Sequence, residues 1–313
     1  MQVWRLQNVP STFGPCVVAS GNFDGVHRGH AMLLTRLMIH ARERGQTPVV
    51  LTFDPHPTAV LRPDRAPKLI TPMPERIRLL GEAGVEAVVI IPFNREIAAV
   101  PARDFAQYVL VDTLRASVVV VGEDFHFGAN ATGDVPNLRA MGRLLGFEVD
   151  AVDVQSDSVA RLSSSRVREL IAEGDVAGAA EILGRPHTVT GAVMSGERRG
   201  RELGFPTANL ACPPEVAVPA DGVYAGWLTA ADGVPMPAAI SIGTNPTFAE
   251  HLSRRVEAYV IGRDDLELYD QQVTVSFVAR LRGMEAFDSV EALVAQMNED
   301  VAAAQRALAR GAA

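Results

Sequence analysis

From residue 15 to about residue 183 the chain alternates short apolar segments with longer segments whose apolar residues recur every three or four positions. The short apolar segments are residues 16–19, 49–53, 87–91 and 118–121. The longer segments are residues 29–44, 75–83 and 102–114. Short apolar strands separated by amphipathic helices predict a parallel sheet with both faces covered. Ligands of such sheets lie beyond the carboxyl ends of the strands.

After residue 186 the pattern changes to short alternating strands separated by glycine and proline turns. In residues 272–281 the apolar side chains of Val273, Val275 and Phe277 alternate with polar ones, which predicts a half-buried antiparallel strand. Similar segments are residues 187–194, 222–229, 238–242 and 255–261. We therefore predict a small antiparallel β-barrel closed by a helix from residue 289 to about residue 309. The length of 313 residues suits two domains of about 150 residues, which we place at residues 1–184 and 185–313.

Composition and charge exclude several classes of function. The net charge is −8 and neither half of the chain is basic, so no nucleic-acid partner is expected. The apolar runs are too short to cross a bilayer and the first residues lack the layout of a secretion signal, so we expect a soluble cytoplasmic protein with no membrane partner. Cys16 and Cys212 are isolated, which excludes a disulfide framework and predicts two small core residues. The sequence does not decide between a monomer and a weak homo-oligomer.

Lys68 is the only lysine among 29 basic residues. A phosphate-binding loop that ends in Gly-Lys-Ser or Gly-Lys-Thr is therefore absent, and so is the strand lysine of protein kinases. Any nucleotide must be bound by histidine, arginine, backbone amides and a metal ion.

A histidine pair stands at the entrance of the first predicted helix, in the segment Gly21-Asn22-Phe23-Asp24-Gly25-Val26-His27-Arg28-Gly29-His30. The glycines allow the backbone to approach a ligand, and the helix N-terminus offers amides and a positive dipole to phosphate. His27 and His30 are three residues apart and can face the same way. Such a pair can stabilise the charge that develops when an α-phosphate is attacked and pyrophosphate leaves. Two alternatives are a capped helix with solvated histidines and a metal site completed by Asp24.

Residues 162–168 form a second candidate phosphate site ahead of a predicted helix. The serines of this segment, among them Ser164, are suited to cap the helix. Arg166 and Arg168 fall in its first turn, where the helix dipole disfavours cations, and this placement indicates a bound anion. Simple capping with exposed arginines is the alternative.

Residues 122–128 follow a predicted strand at the ligand-bearing edge of the sheet. Phe125 and Phe127 alternate there with polar residues such as Asp124, a pattern that suits a flat aromatic ligand with hydrogen-bonding edges. A plain turn at the end of a strand is the alternative.

The segment Thr52-Phe53-Asp54-Pro55-His56-Pro57 closes another predicted strand at that edge. Its prolines fix the conformation of the loop. His56 taken alone indicates a structural role more than a catalytic one.

Residues 204–209, Gly-Phe-Pro-Thr-Ala-Asn, give the densest signal of the C-terminal half. Thr207 and Asn209 are two positions apart, so in an extended segment their oxygens point the same way. Neutral oxygens of this kind can complete the coordination of Mg²⁺ whose other ligands are ATP phosphates and water. A turn at the rim of the barrel is the alternative.

Glu257 lies on a predicted strand whose other face carries Val256 and Ala258. A carboxylate there can accept the proton of a substrate hydroxyl that attacks a γ-phosphate, provided that it lies within hydrogen-bond reach. The alternative is a carboxylate on the solvated face of a half-buried strand. The position of Glu257 relative to Thr207 and Asn209 decides between the two.

Together these segments resemble a known family. Residues 21–30 resemble the His-x-Gly-His signature of the nucleotidyltransferase superfamily, and residues 162–168 resemble its second phosphate-binding motif. Residues 52–57 and 122–128 are similar to the FMN adenylyltransferase module of the prokaryotic bifunctional riboflavin kinase/FAD synthetase family. The intact motif at residues 204–209 resembles the riboflavin kinase domain of that family. Further segments of that domain follow in the family's order at residues 223–225, 242–247, 256–257 and 287–289.

The resemblance implies a doubly wound α/β nucleotidyltransferase domain of Rossmann-like architecture, followed by a small antiparallel β-barrel riboflavin kinase domain with a C-terminal helix. It implies that riboflavin and ATP give FMN and ADP, and that FMN and ATP then give FAD and pyrophosphate. Both steps are expected to need Mg²⁺, because the triphosphate charge must be neutralised as the leaving group departs. Two rival functions are a nucleotidyltransferase for another phosphate, with the barrel as a regulator, and a non-catalytic flavin or nucleotide carrier.

The resemblance also implies site residues, which we carry over by position. The expected catalytic residues are His27, His30 and Glu257. The expected nucleotide and phosphate contacts are Gly21, Asn22, Phe23, Asp24, Ser164, Arg166, Gly204, Thr207 and Asn209, the last two of which also hold the metal. The expected flavin contacts are Phe53, Pro55, His56, Asp124, Phe125 and Phe127. Asp270 stands where the family commonly has glycine, which bears on the local turn, and Ala286 replaces a frequent basic residue.

Overall fold

The computed structural model describes residues 1–153, 162–194, 204–244 and 254–311. The chain divides into two compact units. The first comprises Met1–Pro67 and Thr71–Ser163, and the second comprises Lys68–Ile70 and Ser164–Ala313. The division thus falls at Ser163, whereas the sequence predicts a domain boundary after residue 184.

The first unit contains a six-stranded sheet in which neighbouring strands are parallel. Its strands are β1 (Gln2–Arg5), β2 (Cys16–Ser20), β3 (Thr47–Asp54), β4 (Ala87–Pro92), β5 (Ala116–Gly122) and β6 (Glu148–Val152). Their order across the sheet is β1-β4-β3-β2-β5-β6. The chain runs outward from β2 through β3 to β4 and then returns to place β5 on the other side of β2. The sheet therefore has its topological switch point at β2, where folds of this kind bind ligands.

Helices cover both faces of this sheet. They are α1 (Arg28–Arg44), α2 (Pro57–Leu61), α3 (Met73–Glu82), α4 (Arg95–Ala98), α5 (Ala102–Phe105) with the π-helix Ala106–Thr113 directly after it, and α6 (Val135–Leu145). Short 3₁₀ turns lie at Leu6–Asn8, Pro63–Arg65 and Ala129–Ala131. Cys16 and Val18 of β2 pack in one apolar cluster, whereas Val17 and Ala19 pack in another with Leu34 of α1. This alternation confirms the predicted sheet with two covered faces.

The predicted strands and helices of this unit are confirmed with small shifts at their ends. The hydrophobic pattern misses β1 and β6, because most of their residues are exposed or only half-buried and neither strand is a continuous apolar run. The predicted helix over residues 102–114 forms, but its hydrogen bonding changes to the π type after Phe105.

The second unit is built around six antiparallel strands and ends in a long helix. The strands are β7 (His187–Met194), β8 (Thr207–Ala211), β9 (Gly222–Thr229), β10 (Pro235–Thr244), β11 (Arg254–Val260) and β12 (Gln272–Arg282). They close into a barrel in the order β10-β11-β8-β7-β12-β9. The helices α7 (Ser164–Glu173) and α8 (Val176–Leu183) precede the barrel, and α9 (Val290–Gly311) follows it, so the predicted barrel and C-terminal helix are confirmed. Among the helices in the described part of the chain, none is long and apolar enough to cross a membrane.

Packing explains why the second unit begins before the barrel. Val176 of α8 is 1% exposed and belongs to the apolar core of the barrel. The segment Lys68–Ile70 joins the same unit through backbone hydrogen bonds, because the Leu69 N–H donates to the Glu215 carbonyl at 2.7 Å and the Ala217 N–H donates to the Leu69 carbonyl at 2.8 Å. The helices α7 and α8 are therefore part of the barrel unit.

The two cysteines lie in different cores. Cys16 is fully buried, as predicted, and Cys212 is half-buried against the barrel core. Burial raises the pKa of the Cys16 thiol to about 12 and that of the Cys212 thiol to about 11. Both thiols therefore stay protonated at neutral pH and are poor nucleophiles.

Asp270 lies in the turn before β12 with a φ of 61°, a left-handed backbone conformation. Aspartate tolerates this conformation, whereas a β-branched residue does not. We expect Asp270→Val to lower the free energy of unfolding by about 1–2 kcal/mol, and Asp270→Gly to change it by less than about 1 kcal/mol. Urea unfolding of the two variants measures this difference. Equal stability of the two would show that the turn does not require a left-handed residue.

Candidate active sites

The first candidate site lies at the carboxyl ends of β2, β3 and β5, which are neighbours in the sheet. The histidine segment follows β2, residues 52–57 close β3, and residues 122–128 span the end of β5 and the loop after it. The predicted residues of these three loops therefore lie along one edge of the sheet. That edge includes the switch point, the position at which a doubly wound sheet binds its ligands.

His27 and His30 begin α1 and hold each other in place. His27 is the N-cap residue: its Nδ1 accepts the His30 N–H at 3.3 Å, and the His30 Nδ1 accepts the His27 N–H at 3.3 Å. The rings stack with their centroids 3.7 Å apart, and His27 is only 4% exposed. Because each Nδ1 accepts a hydrogen bond, the proton of each neutral ring lies on Nε2. The pair therefore caps the helix, as one alternative predicts, but His27 is not solvated as that alternative expects. The pair also holds two Nε2–H donors of the kind that phosphate oxygens accept.

The loop between β2 and α1 contains two backbone outliers. Phe23 and Val26 have φ values of 51° and 40°, in the left-handed region that β-branched residues avoid most strongly. Such conformations persist where the surrounding structure imposes them, and they concentrate at functional sites. Phe23 is fully buried and its ring centroid lies 5.0 Å from that of His30. The Phe23 side chain thus supports His30 from the core and is not an open nucleotide contact.

Asp24 anchors this loop from within the protein. Its carboxylate, 1% exposed, accepts the Thr71 N–H at 2.9 Å and a hydrogen bond from Arg76 Nη2 at 3.3 Å. The Arg76 guanidinium, 3% exposed, also donates to the Asn22 carbonyl at 2.9 Å. Among the described residues, no three His, Cys, Asp or Glu side chains form a group that could hold a metal. Asp24 therefore attaches the loop to α3, and its predicted roles as a phosphate contact or a metal ligand stay predictions.

The buried pair predicts a large loss of stability when Arg76 is removed. Arg76→Met leaves the Asp24 carboxylate buried without its charge partner, so we expect the free energy of unfolding to fall by about 3–5 kcal/mol. Arg78, on the same helix, pairs with Glu75 and Glu82 at the surface, and Arg78→Met is a matched control. That control should lower the free energy of unfolding by less than about 1 kcal/mol. Urea unfolding compares the two, and equal losses would argue against a special role for the buried pair.

Two buried polar oxygens lie near the end of β2. Ser20 Oγ and Asn22 Oδ1 make no hydrogen bond with any residue that the structure describes. Buried polar groups left unpaired are destabilising, so a ligand that supplies the missing partner is favoured. The sequence predicts Asn22 as a site residue. Ser20 has no signal beyond its place at the end of an apolar strand.

The aromatic residues of the other two loops divide between the core and the edge of the sheet. Phe127 is 8% exposed and packs in the apolar core. Phe125 stacks on Phe127 with ring centroids 5.5 Å apart, and Phe53 packs edge-on against Phe93 at 5.7 Å. Phe53 and Phe125 stay half-buried, so part of each ring can meet a ligand, whereas Phe127 supports Phe125 from the core. Asp124 beside them is exposed.

His56 has the structural role that a single histidine indicates. It is the N-cap residue of α2, and its Nδ1 accepts the Thr58 N–H at 3.2 Å. Pro55 precedes it and Pro57 opens the helix, so the loop is held from both sides. Any flavin contact of Pro55 and His56 would come from this fixed turn.

Ser164 and Arg166 lie in the first turn of α7, in the second compact unit. The Arg166 Nη1 lies 3.1 Å from the Glu169 Oε2, in an exposed ion pair one turn along the helix. This carboxylate offsets the positive charge of Arg166, so the helix dipole alone is a weaker argument for a bound anion. The phosphate contacts of Ser164 and Arg166 stay a prediction.

The second candidate site lies on the barrel, where the strand register brings three predicted residues together. Glu257 of β11 lies directly opposite Asn209 of β8, and Tyr259 lies opposite Thr207. Side chains of directly opposite residues share one face of a sheet. The residues that alternate with these along the two strands point the other way and are buried in the barrel core: Val256, Ala258, Ala208 and Leu210. Thr207, Asn209 and Glu257 therefore share the outer face, which favours the catalytic reading of Glu257 over an isolated surface carboxylate.

A cavity of about 220 Å³ lies on this outer face. Thr207 and Glu257 line it from the barrel, and Leu293, Met297 and Val301 line it from α9. An apolar wall with a few polar groups is the usual composition of a small-molecule pocket. The helix α9 thus supplies a wall of the site that no motif in the sequence indicates.

Thr207 and Asn209 fit the ion that the sequence implies. A threonine hydroxyl and an asparagine carbonyl are hard neutral oxygens, and these two lie on one face of a single strand. Mg²⁺ keeps several water ligands and binds ATP phosphates, so two protein oxygens are sufficient to position it. Gly204 precedes them with a φ of 84°, a conformation that favours glycine and so explains the first residue of the motif.

Sequence reasoning misses polar residues of this cavity that lie outside the motifs. Ser241 lies opposite Glu257 in the register of β10 and β11, and Arg282 and Asp300 also line the cavity. The alternation of buried and exposed positions along β10 could have identified Ser241 as a residue of the outer face. No local pattern could have found Arg282 and Asp300, because they meet only once α9 has packed on the barrel.

Comparison with protein families matches one family model to each half of the chain. The family model described as FAD synthetase matches residues 9–166. The family model described as riboflavin kinase matches residues 183–308. The first range contains the histidine pair, and the second contains Glu257 and its neighbours.

Curated relatives match nearly the whole chain. A bifunctional riboflavin kinase/FMN adenylyltransferase of Escherichia coli (strain K12) is 36% identical over 285 residues, which cover 91% of this chain and 90% of that protein. A protein of the same name from Pseudomonas fluorescens is 37% identical over 310 residues, which cover 99% of this chain and 98% of that protein.

A solved structure supports the fold. The crystal structure of a macrolide-efflux protein from Streptococcus pneumoniae has a TM-score of 0.88 and 30% sequence identity, and the match covers 97% of this chain and 99% of that chain. That name belongs to the Streptococcus protein, and the likeness concerns the fold. Both family models and the curated relatives agree with the two groups of motifs found in the sequence, one in each half of the chain. The chain therefore belongs to the bifunctional riboflavin kinase/FMN adenylyltransferase family.

Proposed function

We propose that the two reactions of this family use the two candidate sites described above. Riboflavin and ATP give FMN and ADP in the barrel cavity beside Glu257, and FMN and ATP give FAD and pyrophosphate beside the His27–His30 pair. The observation that carries the proposal is the register of β11 on β8, because it sets Glu257 directly opposite Asn209 at the edge of a cavity that α9 completes.

In the kinase reaction Glu257 acts as the general base. Its carboxylate accepts the proton of the terminal ribityl hydroxyl as that oxygen attacks the γ-phosphorus of ATP, and the bond from the γ-phosphorus to ADP breaks. Thr207 and Asn209 hold Mg²⁺, which when bound neutralises triphosphate charge. Catalysis of this kind depends mainly on positioning, which the shared face of β8 and β11 supplies.

In the adenylyl transfer a phosphate oxygen of FMN attacks the α-phosphorus of ATP, and pyrophosphate leaves. His27 and His30 donate from Nε2 to the phosphate oxygens on which charge develops, so that no lysine is needed. The amides at the start of α1 add further donors. The Gly21 N–H donates to the Leu51 carbonyl at 3.1 Å, so Gly21 contributes its missing side chain, which lets the nucleotide approach the backbone. Ser164 and Arg166 hold ATP phosphates, and Asn22 offers its buried side-chain oxygen, Oδ1, to a donor on the nucleotide or flavin.

The flavin of this second reaction is assigned to the edge formed by the other two loops. Phe53 and Phe125 keep partly accessible rings there, and Asp124 supplies a polar edge. Pro55 and His56 shape the turn beside them. We also infer a cytoplasmic location, because ATP is consumed in both reactions.

A time course tests the proposal. Purified protein is incubated with riboflavin, ATP and Mg²⁺, and the flavins are separated by chromatography. We expect FMN to appear first, FAD to follow, and EDTA to stop both steps. FMN without FAD would remove the histidine pair from the proposal, and riboflavin that is bound but unchanged would favour a carrier.

A further inference from the structure

Arg282, the last residue of β12, is joined to Asp300 of α9 by a two-pronged ion pair. The Arg282 Nε donates to Asp300 Oδ1 at 2.9 Å, and Nη2 donates to Oδ2 at 2.7 Å. Gln296, one turn earlier on α9, donates to the same carboxylate at 3.0 Å. Asp300 is 7% exposed, so the pair is largely shielded from water. A fork of this kind fixes direction as well as distance.

The ion pair marks a change along α9. After it, Ala304 and Leu308 are buried against the barrel, with 0% and 4% exposure. Before it, residues 290–299 are all half-buried or exposed, and Leu293 and Met297 line the cavity. The second half of α9 is therefore held by packing. The first half stands over the cavity, and the ion pair joins the end of this half to the last residue of β12.

Arg282 also reaches the segment between β12 and α9. Its guanidinium carbon lies 5.8 Å from the centre of the Phe287 ring, within the range of a cation–π contact. Arg282, Phe287 and Asp300 all line the cavity. One side chain thus joins the end of the strand, the segment after it and the helix, and each of these contributes to the wall.

We propose that Arg282 is a positioning residue of the riboflavin kinase, whose ion pair with Asp300 holds the first half of α9 over the cavity and thereby sets the affinity for riboflavin. The inference rests on the assignment of this cavity to riboflavin phosphorylation. Arg282 acts through the helix and need not touch the reacting atoms. The apolar wall formed by Leu293 and Met297 binds a flat ring well only when it is held at a fixed distance from the barrel.

Steady-state kinetics separate positioning from a merely structural role. A variant that is only less stable contains less folded enzyme, so its apparent kcat falls and its KM for riboflavin is unchanged. A variant whose wall is displaced binds riboflavin less well, so its KM rises while kcat and the KM for ATP stay near the wild-type values. Conversion of FMN to FAD by the same preparations reports the amount of active first unit, and urea unfolding reports whether the barrel unit is folded.

The experiment uses the full chain with Arg282→Met, Arg282→Lys and Asp300→Asn. We expect Arg282→Met and Asp300→Asn to raise the KM for riboflavin by about 10-fold to 100-fold, because the loss of an apolar contact in a binding pocket has effects of this size. Arg282→Lys should fall between them and the wild type, since lysine keeps the charge but not the fork. If Arg282→Met is poorly folded, Asp300→Asn and Arg282→Lys give the same test.

Arg280→Met is the matched control. Arg280 lies on the same strand, but its guanidinium donates to the carbonyls of Glu173 at 3.1 Å and Asp221 at 2.9 Å and not to α9. An unchanged KM in Arg282→Met and Asp300→Asn would overturn the inference, and so would an equal rise in Arg280→Met. Riboflavin phosphorylation at the normal rate in Glu257→Gln would instead count against the proposed catalytic base beside this cavity, so the two failures are distinguishable.

Discussion

Replacement of Glu257 by glutamine is expected to lower kcat for riboflavin phosphorylation by about 10²-fold to 10⁴-fold, the usual contribution of a general base. Glutamine has nearly the same size and can still accept a hydrogen bond, but it does not take up the proton of the attacking hydroxyl. The conversion of FMN to FAD should be unchanged, because that reaction is assigned to the histidine pair. Chromatographic rates measured from riboflavin and from FMN on one preparation give both values.

The control for this variant is Glu267→Gln. Glu267 is an exposed carboxylate of the same barrel unit and does not line the cavity, so its replacement should leave both reactions at wild-type rates. Riboflavin binding by Glu257→Gln, followed by flavin fluorescence, should also be retained. A variant that phosphorylates riboflavin at the normal rate would exclude Glu257 as the base and return it to the solvated face of a strand.

Most of the fold of this chain can be predicted from local sequence patterns. The apolar strands and amphipathic helices of the first unit, and the alternating strands of the barrel, each bury a face that the sequence displays within a few residues. The histidine pair could be predicted for the same reason, since His27 and His30 meet within a single helical turn. Thr207 and Asn209 likewise share a face because they are two positions apart on one strand.

The remaining features depend on partners that are distant in the sequence. The motif predicts that Asp24 is a phosphate or metal contact. The structure adds that its buried carboxylate forms an ion pair with the buried guanidinium of Arg76. Phe127 reads as a flavin contact, but packing places its ring in the core. Arg282 and Asp300 meet only after a helix and a strand have docked. Contacts of this kind join residues that are far apart in the sequence and leave no periodic pattern, so they cannot be predicted from neighbouring residues.

His27→Asn is expected to lower kcat for FMN adenylylation by about 10²-fold to 10³-fold, the usual loss when a donor to a developing oxyanion is removed. Riboflavin phosphorylation by the same variant should be unchanged. Asparagine is a good N-cap residue, and its side-chain oxygen can replace Nδ1 as the acceptor of the His30 N–H. The start of α1 is thus preserved, and the imidazole with its Nε2–H is what is lost. Chromatography of FMN and FAD measures the effect.

Two further variants separate capping from chemistry. His27→Ala removes the cap as well as the imidazole, so it should lose as much activity as His27→Asn and, in addition, about 1 kcal/mol of stability. His40→Asn changes a histidine of the same helix that hydrogen-bonds Asp150 at 2.8 Å, and it should leave FAD formation unchanged. If His27→Asn forms FAD normally while His27→Ala does not, the function of His27 is to cap the helix. Loss of activity in both, with stability lost only in His27→Ala, assigns the chemistry to the imidazole, because the cap is then present in one inactive protein and absent from the other.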